Sequence, residues 1–94
     1  MLNELFGPSI HLLVLDIFFE NPTSLMNMRT IARSVGKNPG SVSRVLPRLV
    51  KQGWLDQVMI SPERVVYRLN QDAELVKLFQ DVSRKLQNIV PNNI

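Results

Sequence analysis

Residues 28–55 read MRTIARSVGKNPGSVSRVLPRLVKQGWL, and the fold turns on this stretch. Asn27 stands where a helix N-cap is wanted, and Met28, Ile31, Ala32 and Val35 recur at helical spacing, so a short helix is predicted over 28–35. Gly36 then offers the left-handed residue that ends it. After Lys37, Asn38 is a second N-cap and Pro39 suits the first helical position, where a missing N–H costs nothing. A longer helix is predicted over 39–52, with Val42, Val45, Leu46 and Leu49 as its inward stripe and Gly53 as its stop. The spacing of Ala32, Gly36 and Val42 has a mechanical meaning. A small residue lets the two helices approach, a glycine takes the corner, and an aliphatic side chain plugs the gap between them. Two short helices locked at a tight turn follow from these residues.

Working outward, Gly7-Pro8 precedes and Asn21-Pro22 ends a segment that predicts a first helix over 9–20. Its apolar positions form two stripes, one through Ile10, Leu13, Val14, Ile17 and Phe18 and one through Leu12, Leu15 and Phe19, so it needs cover on two sides. Residues 54–69 are rich in β-branched and aromatic side chains around Ser61-Pro62-Glu63-Arg64 and predict a hairpin in which Val65, Tyr67 and Leu69 share a face. From 72 to 90 a last helix carries Leu75, Phe79, Val82, Leu86 and Ile89 at alternating steps of four and three. That seam suits either a second chain or the domain's own body. The order helix, short helix, turn, helix, hairpin, helix is that of a winged helix-turn-helix: an α+β, mainly helical fold with a C-terminal helix, occupying 1–94 as one domain.

Composition narrows the function. In 94 residues there is no cysteine and one histidine, which excludes disulfides, thiolate metal sites, a cysteine nucleophile and an all-protein zinc cage. No nucleophile–base pair or phosphate-cradling glycine loop can be assembled, so no enzyme and no cofactor is expected. The apolar run 10–19 is too short to cross a bilayer and is interrupted by His11 and Asp16, and no basic leader follows Met1, so a cytoplasmic protein with no membrane contact is expected. Net charge is +3, but residues 23–70 alone carry +6, through eight Lys and Arg against Asp56 and Glu63. Such a segment attracts polyanions, nucleic acid foremost, unless it is simply a solvated basic surface.

The segment NPGSVSRVLPRLVKQGW at 38–54, with LNELFGPS at 2–9 and VVYRLN at 65–70, resembles the winged helix-turn-helix regulators of the ArsR/MarR-like group, especially their small prokaryotic, often archaeal, versions. The resemblance implies a homodimeric, sequence-specific binder of double-stranded DNA and a transcriptional regulator, with the helix over 39–52 in the major groove and the hairpin wing on the neighbouring backbone or minor groove. The thiolate motif of the metal sensors in that group has no counterpart here. Pro47 also departs from the pattern, since it removes a hydrogen bond to the Ser43 carbonyl and is expected to kink the reading helix.

On this reading Arg44 is the first candidate for base readout, because its planar fork matches guanine O6 and N7. Ser41 and Ser43 join it, either on bases or bonded to their own helix. Arg29 and Thr30 on the second helix, where Arg33 also lies, are expected on the DNA backbone with Lys37, Asn38, Arg48 and Lys51. Ser61, Arg64 and Arg68 are the wing candidates. Trp54 and Tyr67 are expected to pack rather than stack on bases, and His11 reads as a polar position on the helix surface or dimer seam. The dimer seam is expected to use Leu12, Leu15 and Phe19 of the first helix with Leu75, Phe79, Val82, Leu86 and Ile89 of the last. An operator, an effector and the sign of regulation leave no mark in the residues.

Overall fold

A computed structural model describes residues 9–89. Residues 2–8 of the LNELFGPS resemblance lie outside the described residues, as does the side chain of Ile89. Among the described residues the order is α1 (Ile10–Glu20), α2 (Met28–Val35), α3 (Pro39–Lys51), β1 (Leu55–Ser61), β2 (Arg64–Leu69) and α4 (Glu74–Ile89). The protein is an α+β, mainly helical winged helix-turn-helix.

The first three helices each start where a short polar side chain replaces a missing partner. The Ser9 hydroxyl accepts from the Leu12 N–H at 3.2 Å, Asn27 Oδ1 from the Thr30 N–H at 2.8 Å, and Asn38 Oδ1 from the Ser41 N–H at 3.2 Å. α2 ends on Gly36 at φ 68°, with the Lys37 N–H donating to the Ala32 carbonyl at 3.1 Å. That wrapped-back bond closes the corner and aims the chain into α3. Gly53, at φ 87°, turns the chain from α3 into β1.

Ile31 and Ala32 of α2, and Val42, Val45, Leu46 and Leu49 of α3, are all buried, so the corner is filled by the side chains that its spacing requires. α1 crosses behind them with Val14, Leu15 and Phe18. Leu15, expected on the dimer seam, is only 4 % exposed and belongs to this core, because the short α2–α3 pair leaves α1 covered on more of its circumference than two separate stripes imply.

The hairpin is antiparallel, pairing Leu55 with Leu69, Gln57 with Tyr67 and Met59 with Val65 on one face, and Asp56 with Arg68 and Val58 with Val66 on the other. Val65, Tyr67 and Leu69 therefore do share a face, with Leu69 in the core and Tyr67 packed against it; Val66, on the opposite face, is buried as well. A bulge between Met59 and Ser61 leaves Ile60 outside the pairing. Met26 adds a one-residue bridge beside β2, exchanging two main-chain hydrogen bonds with Tyr67 at 3.0 and 2.8 Å. The hairpin is thereby tied to the loop that leads into α2.

α4 returns over the domain with Val76 fully buried. Phe79 meets Trp54 edge-on at 5.4 Å and Phe19 at 6.1 Å, and Phe19 meets Trp54 at 6.4 Å. Phe19 and Phe79, expected between chains, are thus partners within one chain, drawn together by the indole that follows Gly53. Leu12, also half-buried, packs against the core.

Candidate nucleic-acid interface

With its aliphatic stripe buried, α3 shows solvent the side chains of Ser43, Arg44, Pro47, Arg48 and Lys51. These recur every three or four residues and so form one ridge along the helix. Arg44 and Arg48 stand a single turn apart on it. None of the ridge cations is paired with a carboxylate of the described residues, where Arg68 pairs with Asp56 and Lys85 with Asp81, so their charge faces solvent. α3 runs through Pro47 to Lys51 without interruption. The ring is exposed, so the carbonyl it deprives of a helical donor sits at the surface and not in the core.

The two serines separate. Ser43 is exposed, and its hydroxyl donates to the Gly40 carbonyl at 2.8 Å, leaving its oxygen lone pairs free to accept. Ser41, three residues before Arg44 and so near its face of α3, is half-buried with its amide held by Asn38. Asn38 is a cap first: its carbonyl oxygen is engaged, and only its amide nitrogen is left to donate outward.

Arg29, Arg33 and Lys37 are exposed along α2 and the corner, while Thr30 is half-buried at the start of α2 with its amide capped. In the wing, Arg64 is exposed at the tip and paired in register with the half-buried Ser61. Arg68 stands apart from the tip. It lies at the hairpin base, its Nε donating to Asp56 Oδ2 at 3.3 Å. The wing tip instead exposes Met59 and Ile60, at 64 % and 55 %, which no periodicity in the sequence singles out. Burial pushes the Tyr67 phenol above its ordinary value.

Among the described residues, no group of three His, Cys, Asp or Glu side chains could hold a metal, and no helix is long and apolar enough to cross a membrane.

Comparison with solved structures aligns the chain with ferric uptake regulator from Francisella tularensis, determined with iron, at a TM-score of 0.63 and 21 % identity. The alignment covers 71 % of this chain and 55 % of that one, so the chain spans about half the length of this neighbour. At that identity the likeness establishes a shared fold. A comparison with curated protein sequences found no match. The expected grouping holds at the level of the winged helix-turn-helix, though its finer placement beside the ArsR/MarR-like regulators is not the one the family comparison returns. The profile of the IclR helix-turn-helix domain matches residues 10–58, from α1 into β1 and over half of the chain, and the protein belongs to that family.

Proposed function

We propose that the protein is a sequence-specific, double-stranded DNA-binding transcription regulator that acts as a homodimer. One observation carries this reading: the buried stripe of α3 fixes the helix rigidly while its opposite ridge presents Arg44, Arg48 and Lys51 with no carboxylate of the described residues paired to them. A rigid, unpaired, cationic helix of 13 residues suits a major groove. Arg44, nearer the N-terminus, reads a base edge, with Ser43 beside it as an acceptor. Arg48, Lys51, Arg29, Thr30, Lys37 and the Asn38 amide hold backbone, and Arg64 and Ser61 meet it at the wing. The unpartnered apolar side of α4 supports the homodimer. A regulator of this kind works in the cytoplasm of a prokaryote.

The competing reading, a winged helix that docks on an acidic protein, draws on the same charge. It would gain support from Arg44 paired within its own chain, and the described residues hold no such pair. Selection of bound duplexes from a random pool decides between them. Wild type is expected to enrich a pseudo-palindrome with half-sites about 34–36 Å apart. Arg44→Ala is expected to lose preference at one position of each half-site, by about 1–3 kcal/mol, usually at guanine. Equal enrichment by both proteins would refute base readout by Arg44, and absence of any enriched sequence would leave a coating protein in place of a regulator.

A further inference from the structure

We infer that the cleft at the base of the hairpin binds a free amino acid with a cationic side chain, gripped at its carboxylate by Arg68 and at its two amines by Asp56 and Asp72. The site needs no DNA; only its consequence for DNA rests on the reading above.

Three parts of the chain meet at this cleft. The loop from α1 to α2 brings Pro22 and Leu25, the base of the hairpin brings the paired Asp56 and Arg68, and the turn from β2 into α4 brings Asp72. The open space they line is about 410 Å³, within the range of small-ligand sites.

The charges of the lining are incompletely matched. Arg68 Nε donates to Asp56 Oδ2 at 3.3 Å, a contact that leaves the Nη1–Nη2 edge of the guanidinium, which can take a carboxylate through two parallel bonds. Asp72 takes part in neither ion pair given among the described residues; its backbone N–H donates to Asn70 Oδ1 at 3.2 Å, and its carboxylate is left to accept. Two carboxylates against one guanidinium put the lining at −1. A ligand that completes it carries one carboxylate and two cations, the charge pattern of a basic amino acid. The stem between those charges is a run of methylenes, and Leu25, 55 % exposed, forms with the Pro22 ring an apolar wall for it. A bare metal ion suits the cleft poorly, because a guanidinium shares its wall and no group of three His, Cys, Asp or Glu side chains gathers among the described residues.

The position gives such a ligand a consequence. The Met26–Tyr67 bridge ties the hairpin to the loop that leads into α2, and a molecule held between Arg68 and Leu25 spans the same joint. Occupancy favours one angle of the wing to the helix pair, so ligand and duplex change each other's affinity.

Isothermal titration calorimetry of the full chain tests the site. The probes are L-lysine and L-arginine, with L-norleucine lacking the side-chain amine and cadaverine lacking the carboxylate; the variants are Asp72→Asn and Arg68→Gln, with thermal unfolding as the control for folding. One-to-one binding of a basic amino acid is expected, weaker by about tenfold for either partial probe and for either variant. Arg68→Gln is also expected to lose the preference for L-lysine over cadaverine, which loss of the Asp56 pair alone would not produce. No saturable binding of L-lysine or L-arginine overturns the site, and so does equal affinity in wild type and Asp72→Asn. Cadaverine bound by wild type as tightly as L-lysine overturns the carboxylate grip, and L-norleucine bound as tightly overturns the basic class. These titrations contain no DNA and stand whether or not a duplex binds. By fluorescence anisotropy on the selected duplex, saturating L-lysine is expected to change the affinity of wild type by about fivefold and that of Asp72→Asn not at all. An unchanged wild-type affinity overturns the coupling, whereas failure to bind any duplex overturns the DNA-binding reading instead.

Discussion

Gly36 is the residue on which the angle between α2 and α3 depends. Its φ of 68° lies where an L side chain is strained, yet a Cβ built there meets nothing within 4 Å. Substitution therefore isolates a backbone effect from a steric one. Gly36→Ala is expected to lower the unfolding free energy by about 1–2 kcal/mol and Gly36→Asn by less, measured by urea denaturation. A change within about 0.5 kcal/mol for alanine would mean that the corner relaxes by another route. This glycine was legible in the sequence because a cap on either side pins it. Arg68 was not. Its partner, Asp56, is twelve residues away, and only the register of the hairpin, which depends on the position of the Ile60 bulge, brings guanidinium and carboxylate to 3.3 Å.

At the scale of elements, α3 combines three aids to helix formation with one obstacle. Asn38 caps it, Pro39 starts it and Arg48 and Lys51 suit its negative end, while Pro47 lacks the N–H that the Ser43 carbonyl requires. An interior proline costs about 3 kcal/mol relative to alanine in a helix. Here the loss is reduced because Ser43 and Pro47 are both exposed and water reaches the orphaned carbonyl. Pro47→Ala is expected to raise stability by about 1–3 kcal/mol, seen as a higher midpoint in thermal unfolding. A lower midpoint would show that the ring contributes packing absent from the described contacts. The helices were readable one at a time because caps and stripes are local signals. The Met26–Tyr67 bridge left no such trace, because a strand of one residue has no period.

At the scale of the whole molecule, α4 presents two apolar faces, and the described residues cover only one. Val76 and Phe79 serve the domain itself, whereas Leu75, Leu78, Val82 and Leu86 remain 37–58 % exposed along about three turns. The sequence placed Leu75, Val82 and Leu86 on a seam and missed Leu78, since overlapping stripes on one helix do not say which of them touches its own body. Pairing this face with its copy would finish burying eight aliphatic side chains. Each is roughly half exposed and so is worth about 1 kcal/mol, or about 8 kcal/mol together. Association itself costs about 4–15 kcal/mol, so α4 alone gives a weak dimer. The joint variant Leu78→Asp, Val82→Asp is accordingly expected to sediment as a monomer at concentrations where wild type is a dimer, because both positions are exposed and neither belongs to the core. It is expected to keep its circular dichroism and to bind a single half-site as wild type does, while losing the added affinity that two tethered reading helices gain on a full palindrome. If the variant still sediments as a dimer, the partner lies on another surface; if wild type is a monomer even on the palindrome, each reading helix acts alone.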